Sequence, residues 1–218
     1  MTDFEQLKEI CRVACHERNA CKPGFEAMLR AEDIGQMMQV WRENWEDLYE
    51  SKYADILPQY IDDAYATFGD EMRQSGVYVN EDAGDGLLIV ANPGKPIRAY
   101  GTADCYIFGV AEVTGEDNAK VHARTDEATV TLTGYSQGFF KAGRAEIRNF
   151  SKAQGFFDGD CYDAAYVILR GGTLRDHGHR EIMALGSEAT VYSNTHQKIE
   201  LYDGAQLLPL NNIKDKEA

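Results

Sequence analysis

Between Pro96 and Leu210, apolar or small residues alternate with polar ones at a spacing of two, and the alternation restarts every eight to ten residues. Aligned on small-x-apolar-x-apolar, the repeat centres fall at Ile97, Cys105, Val113, Val121, Val130, Gly138, Ile147, Gly155, Ala164, Leu174, Ile182, Val191, Ile199 and Leu207. A small residue stands two positions earlier in most repeats, as in Ala103, Ala111, Ala119, Ala128, Ala145 and Ala153. A turn former follows the centre, as in Gly101, Asp117, Gly134, Gly159 and Asp203. Each repeat therefore reads as a short strand and a tight turn. A five-residue strand spans roughly 17 Å and cannot bury itself, so the repeats must stack into a solenoid around one thin core. Longer steps follow every second repeat through the middle, and Gln137-Gly138-Phe139-Phe140 recurs as Gln154-Gly155-Phe156-Phe157. Two strands per coil fits this pattern, whereas three would scatter the matches over different faces.

Ahead of the repeats the apolar spacing is three and four. Phe4, Leu7, Ile10, Cys11 and Ala14 mark a first helix, which Thr2 or Asp3 can cap, and Phe25, Met28 and Leu29 mark a short second one. A third from about Asp33 carries Ile34, Met37, Met38, Trp41, Trp45, Leu48 and Tyr49 on one stripe. Pro58 suits the first turn of a fourth, with Tyr60, Ile61, Ala64, Tyr65 and Phe68, ending near Gly69. The expected fold is α+β: a small helical domain over residues 1–76, a connecting hairpin or first coil over 77–96, a β-solenoid of the β-roll kind over 97–210, and a polar tail over 211–218.

The repeat in the form Ala119-Lys120-Val121-His122-Ala123 and Ala128-Thr129-Val130-Thr131-Leu132 resembles the octad-repeat β-roll proteins of uncharacterised gut-bacterial and phage origin. The resemblance covers about half of the chain. It implies the solenoid fold and carries over no catalytic residue.

With two strands per coil, the outward residues after alternate centres align as Tyr106, His122, Phe139, Phe156, Arg175 and Tyr192. The second ladder runs Arg98, Thr114, Thr131, Arg148, Ala165, Met183 and Glu200. So apolar a stripe as the first marks an interface, for the helical domain, a twin subunit or a foreign partner, or else simple ladder packing.

Composition narrows the readings further. The chain has 36 acidic and 22 basic residues and a formal charge of −14, without a basic patch for phosphates, so direct nucleic-acid binding is not expected. The N-terminal residues do not read as a signal peptide and no apolar run is long enough to span a membrane, so a cytoplasmic location without membrane contact is expected. Five cysteines, an odd number, give no disulfide framework.

Metal candidates are weak: Cys11, Cys15 and Cys21 near His16, and His177 with His179 beside Asp158, Asp160 and Asp176. Asp82, Gly84, Asp85 and Gly86 lack the twelve-residue calcium-loop pattern. No six-residue acyltransferase period, nucleophile elbow, phosphate loop or dinucleotide fingerprint occurs, and no cofactor is expected. A scattered set such as Arg124, Lys141, Arg144, Arg148 and Asp158 is what a β-helix lyase needs, although charge on a solvated face is the favoured explanation.

The leading expectation is a non-enzymatic interaction or scaffold protein that displays the stripe to a protein partner or to itself. A carbohydrate-binding or carbohydrate-active solenoid is the alternative, and an acidic inhibitor of a nucleic-acid-binding protein a further one.

Overall fold

The computed structural model describes residues 3–18, 22–50, 57–163 and 165–212. Four helices come first among them: α1 (Asp3–Arg18), α2 (Lys22–Arg30), α3 (Ile34–Tyr49) and α4 (Leu57–Gln74). Asp33 caps α3, its carboxylate accepting from the Gln36 backbone N–H at 2.8 Å. The fourth helix does not stop at Gly69 as its sequence suggests. Its geometry breaks locally at Phe68 (φ −120°, ψ 20°) and then runs on to Gln74, because Met72 is fully buried and holds the last turns against the core. Leu7, Met37, Met38, Trp41, Leu57 and Ile61 fill the centre of the bundle.

The strands follow as β1 (Val77–Val79), β2 (Leu87–Val90), β3 (Ile97–Ala99), β4 (Asp104–Ile107), β5 (Ala111–Gly115), β6 (Lys120–Ala123), β7 (Ala128–Leu132) and β8 (Gln137–Phe140). They continue as β9 (Arg144–Ile147), β10 (Lys152–Phe156), β11 (Asp158–Cys161), β12 (Ala165–Asp176), β13 (His179–Leu185), β14 (Ala189–Tyr192), β15 (Ile199–Tyr202) and β16 (Gln206–Leu208). Every pairing between them is parallel, and each coil contributes one strand to each of two facing sheets. The solenoid has about eight turns.

Sheet A stacks β1, β2, β4, β6, β8, β10, the first half of β12, β13 and β15. Sheet B stacks β3, β5, β7, β9, β11, the second half of β12, β14 and β16. Because β1 pairs in parallel with β2, the first segments form a coil and not a hairpin.

The interior holds one file of inward side chains from each sheet, Leu88, Cys105, Val121, Val167 and Ile182 facing Ile97, Val113, Val130, Leu174 and Val191, and all are buried. Buried Cys105 and Cys161 are part of this core, and burial pushes both thiols well up from the ordinary range.

The coil is 16 or 17 residues from Leu88 through Cys105 and Val121 to Gly138. It then shortens, with Gly138 over Ala153 and Ala153 over Val167, before lengthening again between Ile182 and Ile199. Glycines make the short coils possible. At Gly155 (φ +125°) a Cβ would lie 1.9 Å from the Phe140 carbonyl oxygen, and at Gly159 one would lie 2.0 Å from that of Ala145. The corner of β12 at Gly171-Gly172 needs no loop, so one twelve-residue strand serves both sheets.

The helices are not a separate body beside the solenoid. Their core is completed by the outward residues of the first sheet A strands, Val77, Val79, Leu87, Ile89 and Tyr106, and by Phe108. Tyr65 and Arg73 of α4 hold Glu81 in the first turn, and Asn80 reaches Asp62 at 3.2 Å. No helix among the described residues is long and apolar enough to cross a membrane.

Candidate interaction surface

The outer face of sheet A carries an outward ladder whose register is Ile89, Tyr106, His122, Phe139, Gln154, Ile168, Met183 and Glu200. In its first part the rings stack at close to the spacing of the strands. Tyr106 and His122 lie 4.2 Å apart at 9°, and His122 and Phe139 lie 4.7 Å apart at 15°. Asp104 approaches His122 Nε2 at 3.1 Å from the neighbouring column.

Helix α3 seals the first of these rings. Trp45 and Tyr49 meet Tyr106 edge-on at 6.4 and 4.9 Å, and both pack against Phe108. The Tyr49 hydroxyl donates to the Ile107 carbonyl at 3.2 Å. Burial pushes the hydroxyls of Tyr49 and Tyr106 far above their ordinary range. Arg124 binds the Tyr49 carbonyl and Lys141 pairs with Glu50, so two of the scattered basic residues pin the end of α3 to the sheet.

Beyond the helices the same face is open. A shallow groove of about 350 Å³ runs over Phe139, Gln154, Tyr166, Ile168, Glu181 and Met183. Two cations flank Tyr166, with Lys152 Nζ 5.7 Å and the Arg180 guanidinium 5.1 Å from its ring centre.

The stripe expected from the sequence is thus corrected. Of its six members only Tyr106, His122 and Phe139 lie on the sheet A ladder. The match of Gln137–Phe140 with Gln154–Phe157 is out of register by two, since Gln137 pairs with Lys152 and Phe139 with Gln154. Phe156 instead lies at the corner opposite Gly171, 45% exposed. Arg175 and Tyr192 lie on sheet B, in the ladder Thr131, Glu146, Asp160, Arg175, Tyr192 and Leu208.

The physical reason is that four strands fit where the alignment allowed three: Ala145, Ala153, Gly159 and Val167 are the true centres between Gly138 and Leu174. A slip of two residues leaves Ala145, Ile147, Ala153 and Gly155 pointing inward as expected, but it moves every outward residue to a new neighbour. Met183 and Glu200 consequently belong to sheet A and not to the second ladder. Sequence reading missed Gln154, Tyr166 and Ile168. The paired glycines at 171–172 were the available signal for a corner without a loop.

The histidine candidates divide between two carboxylates. His177 lies 2.7 Å from Asp160 and stacks on Tyr162 at 4.7 Å, while Arg175 also grips Asp160. His179 Nδ1 lies 2.8 Å from buried Asp176, and its Nε2 lies 2.8 Å from the Gln197 carbonyl. Asp176 also accepts from Ser193 Oγ at 2.5 Å and from the Gly178 N–H at 3.1 Å. Asp158 caps the Thr173 N–H. Among the described residues no group of His, Cys, Asp and Glu is placed to hold a metal ion. Cys11 is a buried core thiol, whereas the side chains of Cys15 and Cys21 lie outside the described residues.

Of the charged set, Arg148 pairs with Glu146 and covers Tyr162 at 4.5 Å, so Arg124, Lys141 and Arg148 all have structural partners. Against known proteins, no family model, no curated protein and no solved structure matches this chain.

Proposed function

We propose that the protein is a non-enzymatic interaction protein in which the solenoid holds a rigid apolar groove toward a partner protein. The supporting observation is the division of the sheet A ladder. Its first rings are sealed by α3, and the same ladder continues past the helices as half-buried Phe139, Ile168 and Met183 lining the groove. A face that already takes a helix over Tyr106 offers apolar side chains again from Phe139, two coils further on. The partner element it suits is an amphipathic helix lying beside α3, with acidic residues toward Lys152 and Arg180. A contiguous apolar groove of this kind, half-buried with its polar rim, favours an interface over solvent.

A photo-crosslinking residue at Gln154 is expected to capture a helical segment of one partner. With that partner purified, Ile168→Asp and Met183→Asp are expected to weaken binding by about tenfold or more at unchanged melting temperature. Thr131→Asp, on sheet B, is expected to leave binding unchanged. Equal affinities across all three variants would overturn the reading.

A carbohydrate reading has one feature in its favour. Tyr135 and Phe150, 67% and 45% exposed, project from successive turns with rings 6.2 Å apart at 19°. In the sheet A ladder, by contrast, the ring faces are taken up by one another. Glycan binding that vanishes in Tyr135→Ala but survives Ile168→Asp would select this second reading.

A further inference from the structure

We propose that the C-terminal end of the solenoid is a self-association surface, on which a second copy of this chain docks end to end about a two-fold axis. The inner coils bury Val167, Ile182, Leu174 and Val191 completely or nearly so. In the last coil the corresponding inward positions are open: Ile199, Ala205 and Leu207 are half-buried, and Leu201, stacked over buried Ala184, is 39% exposed. The backbone is open there too. Strand β15 pairs with β13 and β16 with β14, and among the described residues no strand pairs with the far edge of either. Two rows of unmatched N–H and C=O groups thus flank an uncovered slice of core.

The opposite end differs. There Val77, Val79 and Ala83 are buried, Tyr78 packs over the interior, and α4 is tied to the first turn. Repeat proteins need such caps, and among the described residues none covers the last coil.

The shape of the open end selects its occupant. A helix offers no strand edge, and a single extended segment satisfies one edge and leaves the other bare. Two strand edges about 10 Å apart with apolar side chains between them are matched by another two-stranded coil end. The described end of this chain is such an element. A two-fold axis along the sheet normal sets β15 against its copy and β16 against its copy, both antiparallel, so the interface is self-complementary and closed. It continues the same coil-on-coil contact that every inner turn already makes. The end face is small, about 350 Å² per partner from the strand length and sheet spacing, well below the roughly 800 Å² of a standard complex, so the dimer is a weak one.

The test is the mass of the full chain by light scattering across a dilution series reaching on the order of 100 μM, where a weak interface fills. The expected mass rises toward twice 24.4 kDa with concentration. Leu201→Lys, at a position already exposed, is expected to abolish that rise without lowering the melting temperature, and Ile168→Asp in the groove is expected to leave it intact. A monomer at every concentration overturns the proposal, as do open-ended polymers. So does a dimer that survives Leu201→Lys, or one lost in Ile168→Asp, which would place self-association in the groove. A chain lacking residues 213–218 that dimerises where the full chain does not would identify the occupant as the chain's own tail, and overturns it as well.

Discussion

Tyr49, at the end of α3, meets Tyr106 of β4 edge-on, with ring centres 4.9 Å apart and planes at 70°. Through this contact the helices and the first coils share one core, and neither can leave without exposing the other. Tyr106→Ala is expected to cost about 3 to 5 kcal/mol, the range of large aromatic truncations. Helical and strand signals are expected to be lost in one transition in circular dichroism and in tryptophan fluorescence, since both tryptophans lie in α3. Solenoid signal that outlasts the helices in the wild type would show the shared core to be energetically minor.

Gly155 and Gly159 permit the short coils. A methyl group at Gly155 would overlap a backbone oxygen, and the left-handed φ adds a second cost, so Gly155→Ala is expected to destabilise by more than about 3 kcal/mol. Gly94→Ala is the control: its φ of +67° is similarly unfavourable, but nothing lies within 4 Å of the added Cβ, so only the strain of about 1 kcal/mol is expected. Urea unfolding of the two variants measures the difference.

Asp160 is held by Arg175 and His177. Burial works to raise its carboxyl, but the two bases outweigh burial and keep it below its ordinary value of 3.8. Folding therefore favours the carboxylate. Its contribution is present above the unfolded value and is lost as pH falls through the folded one, in a window that lies below about pH 4. Asp160→Asn is expected to melt lower than the wild type at pH 7, with the gap narrowing as pH drops to about 3. A gap that is constant with pH would mean that the ion pairs contribute nothing.

Much of this architecture was legible in the chain. Alternation around Val113, Val121 and Val130 specified inward and outward positions, and the stripe from Met37 to Tyr49 specified one face of a helix, because burial imposes these periods locally. Even in the short coils Ala145 and Ala153 point inward, as the alternation specifies. The ladder was not legible there. Gln137-Gly138-Phe139-Phe140 and Gln154-Gly155-Phe156-Phe157 look like equivalent repeats, yet they are offset by two residues in the stack.

By itself the sequence determined that the chain is helical and then a two-stranded solenoid, and which side chains enter its core over most of its length, since a two-residue or four-residue period is a local property of hydrophobic burial; near Ala165, expected outward and found buried, the phase of the alternation was lost. Only the tertiary structure decided which outward residues are neighbours and which are covered. Coil length depends on how tightly the backbone turns at Gly155, Gly159 and Gly172, and a change of two residues keeps the period while exchanging every partner on the outer face. That Tyr106 is sealed by Tyr49 while Ile168 stays open follows from where the helices end their fold-back on sheet A, a long-range packing choice that no local pattern encodes.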